Sequence, residues 1–210
     1  MRIASPQEAQ GLMDKYQIPY AKSCRGKTFI ELQRGAFELK KPLVLKLMSK
    51  DAIHKTDKGL VRLNIHDMKE LREQFEELNT LAQGLRIDEY LLQEQCEGVE
   101  FIIGGKDDPS FGRVMVFGLG GIFVELLKER ALRVLPISSQ EIEKMILETK
   151  AGAFIRGYRG RRVSKDKLAE LIYKASELIQ NEDILELDFN PVIALGEEIS
   201  VVDARIVFRE

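Results

Sequence analysis

Pro42-Leu43-Val44-Leu45-Lys46-Leu47-Met48 is an apolar run interrupted by one lysine. A short continuous run of this kind reads as a buried strand. A helical pattern over residues 29–39 precedes it. A polar loop over 49–59, a short strand over 60–65 and a helix from the Asp67 cap to Leu81 follow it. Further out, Ser5-Pro6-Gln7-Glu8 opens a helix with a cap, a proline at the first position and an acidic first turn. Ala9, Leu12, Met13 and Tyr16 recur behind it at helical spacing. Strands are expected over 90–95, 99–104 and 113–117, with a turn-rich link over 105–110. Helices over 139–149 and 165–180 come next, then strands over 184–188 and 199–206 whose connection holds Asn190, Pro191 and Gly196. Helices interleaved with hairpins predict an α+β fold of two lobes, residues 1–94 and 95–210.

The chain has 210 residues, with 32 Lys and Arg against 34 Asp and Glu and a formal net charge of -2. That balance excludes a basic nucleic-acid coat and a polyacidic tail. At 44% hydrophobic residues there is material for a core. Cys24 and Cys96 lie far apart with no metal-ligand spacing, which argues against a disulfide scaffold and for a reducing cytoplasm. Residues 1–6 run straight into a polar helix pattern, so no secretory signal is expected. The most apolar stretch, 114–127, is broken by Gly118, Gly120 and Gly121. It falls short of the roughly 20 residues a membrane helix needs. The expectation is a cytoplasmic protein without membrane or nucleic-acid partners.

Four segments carry candidate chemistry. Lys46 on its strand is either on an exposed edge face or a phosphate-binding ammonium, since a buried unpaired charge costs several kcal/mol. His54-Lys55-Thr56-Asp57-Lys58-Gly59 is either a solvated turn or a loop covering phosphate, with His54 as a nucleophile toward phosphorus. His66, beside Asp67, reads as a surface residue. Phe117-Gly118-Leu119-Gly120-Gly121 lacks the third glycine of a dinucleotide fingerprint. It is a tight turn, or a place where Gly120 and Gly121 bring backbone N–H groups to phosphate oxygens. Last, Glu186, Asp188 and Asn190 alternate with apolar residues, and Asp203 lies on a following strand. Oxygen ligands from adjacent strands suit Mg²⁺, and an acidic outer sheet face is the alternative.

In this order the segments resemble the ATP-grasp β subunits of ADP-forming acyl-CoA (acetyl-CoA) synthetases, relatives of the succinyl-CoA synthetases. The similarity runs from residues 16–19 to 202–206 and includes Asp108-Pro109-Ser110-Phe111-Gly112 and Leu187-Asp188-Phe189-Asn190-Pro191-Val192. One departure is Gly59-Leu60, where the family often has two glycines. The resemblance implies an ATP-grasp fold whose lobes hold ATP or ADP between them. It implies that Lys46 touches the phosphates, that Gln93, Glu94 and Gln95 form the hinge at the adenine, and that Glu100 lines the cleft. Asn190 and Asp203, with Asp188 beside them, match the Mg²⁺ ligands. His54 matches a histidine that relays the phosphoryl group from a phosphohistidine of the partner to ADP. The implied partner is an α subunit with the CoA-binding and ligase domains, for which the chain has no matching segments, in an α2β2 heterotetramer. The activity implied is acyl-CoA + ADP + phosphate ⇌ acid + CoA + ATP, that of an acid–thiol ligase. The alternatives are a succinyl-CoA-synthetase-type β subunit, a carboxylate ligase lobe acting alone, or a nucleotide-sensing module.

Overall fold

Five helices begin on a side chain that accepts from the helix's own free N–H groups. Ser5, Thr28 and Ser138 each form a reciprocal capping box with the glutamate three residues on. Asp67 accepts from the Lys69 and Glu70 N–H groups, and Ser164 from Lys167. The structure is a computed structural model and describes residues 1–49, 59–121 and 129–209. Along the chain it shows β1 (Arg2–Ile3), α1 (Pro6–Lys15), β2 (Ser23–Gly26), α2 (Phe29–Ala36), β3 (Leu43–Met48), β4 (Val61–Ile65), α3 (Met68–Leu81) and β5 (Glu89–Glu94). There follow β6 (Val99–Asp108), β7 (Gly112–Leu119), β8 (Arg130–Val134), α4 (Ser139–Leu147), α5 (Ala151–Ile155), a 3₁₀ turn at Tyr158–Gly160, α6 (Lys165–Asn181), β9 (Ile184–Leu195), β10 (Glu198–Val201) and β11 (Ala204–Phe208).

The chain divides into Ala21–Gln95 and a larger unit made of Met1–Tyr20 and Cys96–Glu210. The division differs from the expected one because the first twenty residues belong with the C-terminal part. Arg2 pairs with Phe208 and Ile3 with Val207. Tyr16 Oη donates to Glu182 Oε1 at 2.8 Å, and Lys15 Nζ lies 2.6 Å from the same oxygen. Such partners, more than 160 positions away, leave no mark in local sequence.

In the smaller unit an antiparallel sheet of order β2-β5-β3-β4 packs on α2 and α3. Leu43, Leu45, Leu47, Tyr90 and Leu92 meet Leu32, Ala36, Leu71 and Leu78 in its core. Phe75 packs between Phe29 and Tyr90, tilted against both, with ring centroids 5.8 and 4.7 Å away. By the pleat, Val44, Lys46, Leu91 and Gln93 share the opposite face.

The larger unit carries a seven-stranded antiparallel sheet, with path β1-β11-β9-β6-β7-β8 and β10 against β9. Phe101, Ile103, Met115, Phe117, Leu187 and Phe189 pack on Ile142, Met145, Leu171 and Leu178 of α4 and α6. The alternate positions of these strands, Glu100, Ile102, Gly104, Asp188 and Asn190, lie on the other face.

Several boundaries differ from expectation. The strands over 99–104 and 113–117 extend to Asp108 and from Gly112, so the turn shrinks to Pro109–Phe111, where Asp108 accepts from the Ser110 and Phe111 N–H groups. β9 continues through Asn190 and Pro191 to Leu195, where a connection was expected. It does so because Phe101 pairs with Val192 and Ile103 with Phe189, leaving β9 one extra residue at Asn190–Pro191. A bulge accommodates a residue that has no N–H for the ladder. The single strand expected over 199–206 divides into β10 and β11, with Asp203 in the break. β8 was not foreseen at all.

Gly98 and Gly11 make a matched test of this packing. A Cβ on Gly98, whose φ is 154°, meets Ala194 O at 2.4 Å and Ala194 C at 2.7 Å. One on Gly11 meets nothing within 4 Å. Gly98→Ala is therefore expected to lose on the order of 1–3 kcal/mol, whereas Gly11→Ala in α1 gains about 0.5–1 kcal/mol. Urea denaturation of the two variants checks both signs.

Candidate functional site

Lys46 sits on β3, paired with Leu91 of β5. Its Nζ donates to Gln93 Oε1 at 2.9 Å. Gln93 is only 4% exposed, and its Nε2 donates to Ala21 O at 3.4 Å, which fixes the amide so that its oxygen faces the ammonium. The half-buried charge of Lys46 thus keeps an acceptor without being neutralised by a carboxylate at that bond. The flanking hinge residues do other work. Glu94 Oε1 accepts from the Lys40 N–H at 2.9 Å, and Gln95 exchanges two hydrogen bonds with Asn64, at 2.7 and 2.8 Å. The Glu94 and Gln95 N–H groups donate to Lys22 O and Pro42 O.

On the larger sheet, β9 and β11 bring three oxygen-bearing side chains into one neighbourhood. Asp188 pairs with Arg205, and the Asn190 N–H donates to Asp203 O at 3.1 Å. Burial pushes the Asp188 carboxyl above its ordinary value, and the carboxylates of Glu186 and Asp203 push the same way. The Arg205 and Arg130 guanidinium groups offset part of this. Arg205 is itself bound to Glu186 at 2.6 Å. The neighbourhood therefore holds an excess of negative charge that a cation relieves. Among the described residues no cluster of three or more His, Cys, Asp or Glu is arranged for a metal ion. Two carboxylates and an amide nonetheless suit a cation that takes one or two carboxylates and completes its shell with water and phosphate oxygens.

Glu100, at the start of β6, faces Ile193 across the β6–β9 ladder, near the Asn190–Pro191 bulge. Its carbonyl accepts from the Gly120 N–H at 2.7 Å, and a Cβ on Gly121, whose φ is 60°, would stand 2.6 Å from its Oε2. The two glycines thus allow the chain after β7 to turn tightly against the Glu100 carboxylate. A surface groove of about 570 Å³, lined by Arg62, Glu73, Glu76, Glu77, Thr80 and Leu81, includes none of these residues.

Of the residues singled out from sequence, the structure thus pairs Lys46 with Gln93, Glu100 with Gly120 and Gly121, and Asp188 with Asn190 and Asp203. Glu94 and Gln95 hold the backbone of their own unit through their side chains. His54 lies outside the described residues. Two members of the acidic neighbourhood were missed. Arg130 is on the unforeseen β8, paired with Gly118, so that a Cβ there would stand 3.4 Å from Arg130 Cγ. Arg130, Leu132 and Val134 share the exposed face of this edge strand, so no buried apolar run signalled it. Arg205, opposite Asp188 on β11, is the other.

A model of the ATP-grasp domain matches residues 2–208. This chain belongs to the ATP-grasp family. Within the family, this ATP-grasp chain is 37% identical over 212 residues to the β subunit of acetate–CoA ligase (ADP-forming) II of Pyrococcus furiosus, with 96% of this chain and 90% of that subunit covered. It is 36% identical over 206 residues to acetate–CoA ligase (ADP-forming) II of Archaeoglobus fulgidus, with 97% of this chain covered but 30% of the relative. The chain therefore spans nearly the whole of the Pyrococcus β subunit and about a third of the longer Archaeoglobus relative. Among solved structures, the dinucleotide-forming acetyl-coenzyme A synthetase 1 of Ca. Korarchaeum cryptofilum superposes with a TM-score of 0.90 at 37% identity, over 99% of this chain and 94% of that one. That complex contains coenzyme A and Ca-AMPCP, and another of the same protein holds Mg-AMPPCP with a phosphohistidine segment pointing towards the nucleotide site. The ATP-grasp chain groups with the β subunits of ADP-forming acetate–CoA ligases. Among the described residues no helix is long and apolar enough to cross a membrane.

Proposed function

We propose that the chain is the nucleotide-binding β subunit of an ADP-forming acyl-CoA synthetase. It moves a phosphoryl group between a phosphohistidine and ADP, coupled to acyl-CoA + ADP + phosphate ⇌ acid + CoA + ATP. The observation that carries this reading is the group Asp188, Asn190 and Asp203, where the Asn190 N–H meets Asp203 O and two carboxylates and an amide gather on one sheet face. Mg²⁺ held by Asn190 and Asp203, with Asp188 beside them, would neutralise phosphate oxygens. Lys46, held by Gln93, supplies a second positive charge toward phosphate, which matters because phosphoryl transfer depends on positioning and charge stabilisation. The backbone of Gly120 and Gly121 and the carboxylate of Glu100 border the nucleotide. With the side chains and N–H groups of Glu94 and Gln95 engaged, carbonyls of the hinge are what remains for the adenine.

His54 receives the phosphoryl group as the bond from phosphorus to the partner's histidine nitrogen breaks and a bond to an imidazole nitrogen of His54 forms. ADP then attacks the same phosphorus and releases the imidazole. Two short transfers replace one long reach. The partner is an α subunit that carries the CoA-binding and acyl chemistry, in an α2β2 assembly. The setting is the cytoplasm, where cysteines such as Cys24 and Cys96 stay reduced.

The test combines the chain with its α subunit in the presence of acyl-CoA, MgADP and phosphate. ATP should form only with both subunits present, and neutral hydroxylamine should trap no acyl phosphate from the chain alone. Trapping of a hydroxamate by the chain alone would instead identify a self-sufficient carboxylate ligase. Lys46 gives a finer prediction: Lys46→Met is expected to raise the Kd for MgADP by about tenfold, one lost charged hydrogen bond. Adenosine binding should change by less than about twofold, because the ammonium addresses phosphate alone. Parallel calorimetric titrations check both.

A further inference from the structure

The link between α5 and α6 belongs to none of the groups above. It places Arg156, Arg159, Arg161 and Arg162 within seven residues, and all four are exposed. None of them makes an ion pair with a carboxylate of the described residues, whereas Arg2, Arg25, Arg133, Arg205 and Arg209 each do. Glu97 and Glu197, each next to a residue that anchors the loop, are exposed and leave the four guanidinium groups unpaired.

The loop is also fixed in shape. Gly157, Arg159 and Gly160 have left-handed backbone, with φ of 90°, 50° and 75°. Arg161 Nη1 donates to Gly98 O at 3.2 Å, and the Gly196 N–H donates to Arg162 O at 2.7 Å. The Tyr158 ring, half exposed, stands edge-on to Phe154 at 5.7 Å, with the Arg159 guanidinium 5.5 Å from its centroid. Four like charges held together repel one another until an anion covers them. A loop fixed beforehand loses little freedom when that happens. Arginine and tyrosine are the side chains that dominate protein interfaces. A small anion is more often enclosed in a concave site, whereas these side chains all stand open to solvent.

We propose that residues 156–162 dock an acidic patch on the CoA-binding α subunit; this rests on the heteromeric reading above. Pairing across such an interface accelerates encounter and makes association sensitive to salt. The experiment measures the Kd of the chain for its α subunit at several salt concentrations. It compares wild type, Arg159→Glu/Arg162→Glu and the neutral Arg159→Gln/Arg162→Gln. Charge reversal is expected to weaken association by roughly tenfold or more at low salt and to flatten its salt dependence, with the neutral pair between. MgADP binding and far-UV circular dichroism should match wild type. Equal association by all three proteins overturns the docking surface while leaving the heteromeric reading intact. No association by wild type overturns both. Binding of coenzyme A by the isolated chain that charge reversal abolishes overturns docking and assigns the loop to a phosphate-bearing ligand.

Discussion

His54→Ala is expected to abolish ATP formation by the assembled enzyme, by on the order of 10³-fold or more, while MgADP still binds within about twofold of wild type. The two halves of this result belong together. If His54 had only a structural role, its loss would change nucleotide binding and turnover in step. If it accepts the phosphoryl group, turnover stops because the partner's phosphohistidine no longer has an acceptor, whereas the groups that hold the nucleotide stay in place. Labelling with radioactive phosphate makes the point visible. The variant complex should still label its α subunit from acyl-CoA and phosphate, and the label should remain there when MgADP is added. In wild type MgADP should discharge it. Full turnover by the variant complex would remove His54 from the mechanism.

Asp203→Ala is expected to weaken MgADP binding by roughly 100-fold and to leave metal-free ADP binding within about threefold. The asymmetry follows from the charge pattern. Asp203 is one of two carboxylates that raise the affinity of Asp188 for a proton, so its removal lowers the local negative charge and with it the attraction for a divalent cation. ADP without metal meets that same negative charge as repulsion and gains from the change. Asp203 is exposed, in the break between β10 and β11, so truncating it should leave the core intact. A thermal midpoint within about 2 °C of wild type is the accompanying expectation, since exposed substitutions change stability by little. Equal losses with and without metal would mean that Asp203 shapes the site instead of serving the cation.

How much of this is written in the sequence varies with the range of the forces involved. Local chemistry was legible. Ser5 and Asp67 announce their helices through hydrogen bonds within three residues, and the helix starts follow. The apolar run around Lys46 became β3, Leu43–Met48, because a buried strand needs little beyond its own composition. The extent of β9 was not legible. Proline normally ends a ladder, and only the register of the neighbouring β6 shows that the extra residue at Asn190–Pro191 is absorbed as a bulge. The register of β11 on the other side of β9, with Ala204 opposite Phe189, sets Asn190 beside Asp203. β8 was hidden for a related reason: Leu132 is 56% exposed and Val134 is 53% exposed, so no buried apolar run marks this edge strand.

The candidate site divides along the same line. Lys46, Asp188, Asn190 and Asp203 were recognisable by residue type and order. The pairing of Gln93 with Lys46 was not: the resemblance names Gln93 only as part of the hinge, and its buried amide also holds the Lys46 ammonium. Side-chain pairing across two strands depends on register, which composition leaves open. The membership of Met1–Tyr20 in the larger unit is the extreme case, resting on β1 meeting β11 at opposite ends of the chain.

The measurement that tests the central claim most directly is calorimetric titration of the purified chain, alone and with its α subunit, using MgADP, MgGDP and AMP. The account predicts micromolar binding of MgADP, with AMP at least tenfold weaker because it lacks the β-phosphate for the cation and Lys46 to share. Absence of MgADP binding both to the chain alone and to the complex would contradict it.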